Sequence, residues 1–212
     1  MPDVSACSGP RALCARCQRP VSACICAWVA PLDTRVELLI LQHPMETNNA
    51  KGSARLLQLS VGRSVLAVGE TFAPDALFLL LYAGSRSPVL LYPDLPGERA
   101  LGLAAPPLLA AALLDNPASL RLVVLDGTWR KSRKMLYQNP LLQCLPRLAL
   151  NDVPASHYLI RKAHAADQLS TLEASCYALA QLDGGMPAVQ PLLDAFDRFV
   201  ARFQATGGRI GT

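Results

Sequence analysis

Leu122-Val123-Val124-Leu125-Asp126-Gly127-Thr128-Trp129 is the stretch from which the fold can be read. Leu122 to Leu125 form an apolar run, the pattern of a short strand covered on both faces. The run breaks at an acid and a glycine. Thr128 is placed to cap a helix that Trp129 opens and that continues through Met135 and Leu136. Strand, tight turn and helix start put Asp126 at the carboxyl end of a strand. In an open parallel sheet, that edge is where ligands bind. An Asp-Gly pair can also serve the backbone of an ordinary turn. The function must therefore come from what surrounds the octapeptide.

The chain has 212 residues, which suits one domain with a small appendage or two small domains. Hydrophobic residues make up 51% and aromatics only 6%, so a large core must be built mostly from Leu, Val and Ala. A net charge of +4 permits a polyanionic partner without demanding one. Residues 1–12 lack the apolar centre of an export signal. No apolar run reaches membrane-spanning length, the longest lying around residues 76–83. No membrane partner is expected. Seven cysteines without an export signal point to a reducing compartment, the cytoplasm, with thiols or metal rather than a disulfide frame.

Four of those cysteines lie close together. Cys14-Ala15-Arg16-Cys17 is followed after a six-residue gap by Cys24-Ile25-Cys26. A Cys-x2-Cys turn brings two sulfurs to one side of an ion, and the second pair can close a tetrahedron. Zinc suits four thiolates. A closed four-sulfur site is structural, so residues 1–32 are expected to be a zinc module and residues 33–212 the α/β catalytic domain. Arg11, Arg16 and Arg19 decorate the module, either as a solvated face or toward phosphate.

Residues 35–42 read as a strand that breaks at His43-Pro44-Met45-Glu46. Ser53 starts a helix whose apolar side is Ala54, Leu56, Leu57 and Leu59. Residues 64–68 and 88–92 are further strands, and residues 75–82 suit helix or strand. Residues 106–114 resemble a short Ala/Leu helix, and residues 147–150 a short strand. Behind Trp129 come Arg130, Lys131, Arg133 and Lys134, the densest basic cluster in the chain. Helical spacing puts Arg130 on one face with Arg133 and Lys134. Ser170 with Glu173 makes a capping box for a helix reaching Leu182, which Gly184-Gly185 stops. Residues 187–203 form a last amphipathic helix. His43 reads as a strand-end structural histidine, while His157 and His164 have no arguable partner.

Taken in order, these blocks resemble the DTW-domain family. The resemblance is carried by Asp126-Gly127-Thr128-Trp129, by the four cysteines and by His43-Pro44-Met45-Glu46 with Arg55-Leu56-Leu57. Tyr158-Leu159-Ile160-Arg161-Lys162 and Leu169-Ser170-Thr171-Leu172-Glu173-Ala174 complete it. It spans nearly the whole chain. One departure stands at Gly52-Ser53, where relatives more usually carry Asn-Thr. Ser can replace the Thr hydroxyl, but Gly cannot replace the Asn amide.

The resemblance implies a tRNA-uridine aminocarboxypropyltransferase. Such an enzyme moves the 3-amino-3-carboxypropyl group of S-adenosylmethionine to N3 of a uridine and releases methylthioadenosine. It also implies a SPOUT-like, mostly parallel α/β sheet with a carboxyl-terminal knot. Uridine N3 keeps its proton at neutral pH, so a positioned base is required. Asp126 is the first choice and Glu46 the second, although Asp126 can instead hold the cofactor. Trp129 can stack on uracil, cover the cofactor or anchor the helix start. The cofactor set is Thr128, Trp129, Arg161, Leu169, Ser170, Thr171 and Glu173. Arg130, Lys131, Arg133, Lys134 and Lys162 face RNA. The alternatives are SPOUT-like methyl transfer and a non-catalytic zinc-containing RNA binder. The target nucleotide and the oligomeric state are left open.

Overall fold

β4 (Leu120–Asp126) buries all seven of its residues, as its apolar composition requires. It lies at the middle of a five-stranded sheet of order β2-β1-β4-β3-β5, with every pairing parallel. The other strands are β1 (Glu37–Gln42), β2 (Ser64–Val68), β3 (Ser87–Leu91) and β5 (Arg147–Leu148). This computed structural model describes residues 12–47, 49, 52–94, 105–150 and 169–205.

The two-residue period of a strand sorts the core onto two faces. Leu38, Ile40, Leu122 and Val124 point to one face. There they meet α1 (Ala54–Ser60), α6 (Thr171–Leu182) and α7 (Gly185–Ala205). Leu39, Leu41, Val123 and Leu125 point to the other, against α2 (Pro74–Tyr82), α4 (Trp129–Gln138) and α5 (Pro140–Gln143). Asp126 has the parity of Leu122 and Val124, so its side chain belongs to the α6 side.

The ambiguous stretch at 75–82 is helical. Pro74 opens it, and Leu77 and Leu81, four apart, are its buried residues. The expected helix at 106–114 shortens to α3 (Ala111–Leu114). A proline disfavours helical backbone in the residue before it, so Pro106 and Pro107 work against a helix start at residues 105 and 106. The expected strand at 147–150 keeps only Arg147 and Leu148. The last helix begins at Gly185, two residues earlier than expected, after Gly184 and Gly185 turn the chain with φ of 87° and 68°.

The cysteine segment packs into the same core as α7. Cys17 and Ile25 are buried in the cluster that holds Phe196, Phe199 and Val200. Trp28 meets Phe199 edge-on at 5.3 Å, and Arg202 lies over the Trp28 ring at 5.6 Å. At the amino-terminal edge of the sheet, Arg121 binds Glu37 and the carbonyls of Leu80 and Ala83, closing that end with charge. Among the described residues, no helix is long and apolar enough to cross a membrane.

The capping box is present as read. The Ser170 hydroxyl accepts from the Glu173 amide at 3.2 Å, and the Glu173 carboxylate accepts from the Ser170 amide at 2.7 Å. Ser170→Ala is expected to cost about 1 kcal/mol. Urea unfolding should show a lower midpoint with an unchanged slope.

Candidate active site and cysteine knuckle

Register brings the first polar pair together. Gln42 ends β1 directly opposite Asp126 at the end of β4. The Gln42 amide donates to Asp126 Oδ2 at 2.8 Å. From the other side, the Thr171 hydroxyl, on the first residue of α6, donates to Oδ1 at 2.6 Å. The backbone carbonyl of Asp126 accepts from the His43 amide at 2.9 Å. The residue is only 5% exposed, so these bonds offset the loss of water that a buried carboxylate suffers. Gly127 lets α4 approach: a Cβ there would sit 3.0 Å from Lys131 Cβ. Thr128 caps α4, its hydroxyl accepting from the Lys131 amide.

Glu46 lies on the turn after β1 and is 4% exposed. Lys131 Nζ donates to its Oε1 at 2.8 Å and Asn49 Nδ2 to its Oε2 at 2.9 Å. Lys134 pairs with Glu70 at 2.7 Å. The basic helix is thus divided. Lys131 and Lys134 hold acids, while Arg130 and Arg133 are exposed. His43 ties the turn after β1 to Glu70: Nδ1 accepts from the Met45 amide, which leaves the proton on Nε2 for Glu70 at 2.7 Å. Lys134 first, and then His43, hold the Glu70 carboxyl below the usual range.

Trp129 is not a core anchor. It is 41% exposed and stacks on Tyr92 at 5.1 Å with the planes 12° apart. Arg147 covers the Tyr92 ring at 5.1 Å. Leu169 is half-buried, whereas Ser170 and Glu173 are buried and joined in the capping box. Arg161, Lys162, His157 and His164 lie outside the described residues.

At the departure from the family pattern, Ser53 Oγ accepts from the Leu172 amide at 3.3 Å, linking α1 to α6. A Cβ at Gly52 would sit 3.0 Å from the Asn49 carbonyl. An Asn here would need that turn to shift. Sequence reasoning did not single out Gln42, Asn49 or Glu70. For Gln42 a signal existed: like Asp126, it is a polar residue that ends an apolar run.

The four cysteines converge. Their sulfurs all lie within 4.8 Å of one another. Cys14 and Cys26 are 3.7 Å apart, and Cys17 and Cys24 are 3.8 Å apart. Sulfurs placed ~2.3 Å from a central zinc ion sit ~3.8 Å from each other at tetrahedral angles. The donor set and spacing therefore fit zinc. Without metal, the Cys17 and Arg16 amides draw the Cys14 thiol down to about 6. Burial, then the neighbouring thiols, push Cys26 up to about 12.

Fold and site together define an α/β protein whose ligand edge carries a buried acid between two central strands and a helix start. The chain belongs to the DTW domain family, which matches residues 11–204. A mouse protein named tRNA-uridine aminocarboxypropyltransferase 2 is 30% identical over 176 residues, 80% of this chain and 56% of the mouse protein. A Drosophila melanogaster protein of the same name is 31% identical over 206 residues, 93% of this chain and 76% of that protein. An Arabidopsis thaliana protein named tRNA-uridine aminocarboxypropyltransferase A is 30% identical over 138 residues, 59% of this chain and 50% of that protein. The chain thus spans about half the length of the mouse and plant relatives. No solved structure matches it.

Elemental analysis should find one zinc per chain, and a Cys14→Ser/Cys24→Ser variant should lose it. Metal capture must drive the proton off Cys26, so acid opposes binding. At a fixed free-zinc concentration, retention should be higher at about pH 8 than at about pH 5. Equal retention would contradict thiolate ligation.

Proposed function

We propose that this chain is a tRNA-uridine aminocarboxypropyltransferase, acting on N3 of a tRNA uridine. The observation that carries the reading is Asp126, a buried carboxylate held from two sides at the strand-end edge of a DTW-family sheet. The relatives' names support the substrate class. Residues 33–212 are read as the catalytic domain and residues 1–32 as a structural zinc module. The finer fold reading, a SPOUT-like sheet with a carboxyl-terminal knot, rests on family resemblance. Free thiols support a reducing compartment, the cytoplasm.

S-adenosylmethionine, when bound, supplies a sulfonium-activated three-carbon chain and leaves as methylthioadenosine. The residues do the rest. Asp126 takes the N3 proton, and the freed nitrogen pair forms the new N–C bond as the C–S bond breaks. Gln42 and Thr171 fix the carboxylate in place. Thr128, Trp129, Leu169, Ser170, Thr171, Glu173 and Arg161 are proposed around the cofactor. The exposed Trp129 face offers a base a stacking surface. Arg130 and Arg133, with Lys162, are proposed to meet RNA phosphate. Lys131 and Lys134 are proposed to contribute less, because Glu46 and Glu70 hold them.

Incubation with cofactor and bulk tRNA, followed by nucleoside mass analysis, tests the activity. Aminocarboxypropyluridine with methylthioadenosine is expected. Methyluridine with adenosylhomocysteine would make it a methyltransferase, and no product would leave a binder. Asp126→Asn should slow the single-turnover rate about 10²–10⁴-fold at saturating cofactor. A near-normal rate would pass the base role to Glu46.

Arg130→Ala/Arg133→Ala should flatten the salt dependence of tRNA binding by about one unit of log–log slope per charge. Lys131→Ala/Lys134→Ala should flatten it less. The reverse order would place the RNA path on the lysine side.

A further inference from the structure

A cavity of about 270 Å³ lies between the cysteine knuckle and the carboxyl ends of β1 and β2. Its wall includes Arg19, Arg55, Glu46, Gln42 and Thr47, with Cys17 on the knuckle side. Two guanidinium groups and one buried carboxylate therefore face one small space. Arg19 is steadied by the Gly52 carbonyl at 2.8 Å, and Arg55 by the Arg16 carbonyl at 3.0 Å and by Gln58. Arg55 Nε is shut off from solvent and meets no acceptor in the structure. The guanidinium carries five N–H donors, so the Gln58 and Arg16 acceptors leave it able to bind a ligand carboxylate as well.

We propose that this cavity receives the α-amino acid end of S-adenosylmethionine, with Arg19 and Arg55 taking its carboxylate and Glu46 its ammonium. The inference rests on the proposed activity. Both charges of a zwitterion find an opposite partner here. The volume falls just below the ~300 Å³ at which pockets begin to hold a whole drug-sized ligand, so it suits one end of a larger molecule. Position agrees with size. Gln42 lines the cavity and also donates to Asp126, so the cavity opens one side chain away from the base.

The placement also bears on which carbon is transferred. Attack at a sulfonium centre falls by default on the unhindered methyl group. Clamping both charged groups of the amino acid end fixes the intervening chain relative to Asp126. The γ-carbon is then the carbon held toward the deprotonated nitrogen. Arg19, Arg55 and Glu46 thus act as binding residues that decide the reaction's outcome.

Calorimetry on the full chain tests this with three probes: S-adenosylmethionine, its decarboxylated analogue and methylthioadenosine. The wild type should bind S-adenosylmethionine most tightly. Arg19→Gln and Arg55→Gln should each weaken S-adenosylmethionine about 10–100-fold while leaving the other two probes within about twofold. Zinc content should stay at one per chain. Unchanged S-adenosylmethionine affinity in both variants would overturn the assignment. So would equal losses for all three probes, or loss of zinc, because the arginines would then only brace the knuckle. If Arg55→Gln fails to fold, Arg19→Gln decides alone. A wild type that binds neither S-adenosylmethionine nor methylthioadenosine overturns the proposed activity itself. One that binds both equally overturns the subsite and leaves the activity standing.

Discussion

The Asp126 carboxylate holds the ligand edge together. A charge that is 5% exposed persists only where donors replace water, and here they come from two separate elements. Gln42 reaches it from the neighbouring strand, and Thr171 from the start of a helix 45 residues further along the chain. The Thr171 hydroxyl is held by the capping box beside it, and that helix is tied to α1 through Ser53. One acid thereby ties the end of a neighbouring strand to the start of a distant helix.

A second acid works differently. Glu46 is as buried as Asp126, yet its partners are an ammonium and an amide on the α4 side. Gln42 and Thr171 bring Asp126 two neutral donors, while Lys131 brings Glu46 a cation. Lys131 sets a charge pair at Glu46, beside the two arginines that line the same cavity. The basic helix serves both sides at once, with its lysines turned to acids and its arginines exposed.

Much of this was legible in the residues because it is local. The apolar run before Asp126, the Thr128 cap and the Ser170–Glu173 box each depend on neighbours within four positions. The cysteine spacing carried the knuckle for the same reason. What stayed hidden needs register. Gln42 sits 84 positions from Asp126, and nothing in either segment says that they end side by side. The division of the basic helix was hidden too, because spacing shows which residues share a face but not what faces them. Trp129 was left between a core anchor and a stacking surface, and its exposure favours the surface. Composition suggests one helix over residues 106–114, yet only Ala111–Leu114 are helical, behind two prolines that disfavour helical backbone in the residues before them.

The knuckle's contact with α7 has a consequence for the order in which the chain takes shape. During synthesis the amino end emerges first. The cysteines and Ile25 are therefore made long before Phe196, Phe199 and Val200, against which they pack. Metal can gather the four sulfurs early, but the apolar side of the knuckle stays uncovered until nearly all of the described chain has been made. A nascent chain stalled before α7 would carry a finished metal turn and an open greasy flank, a natural target for a chaperone.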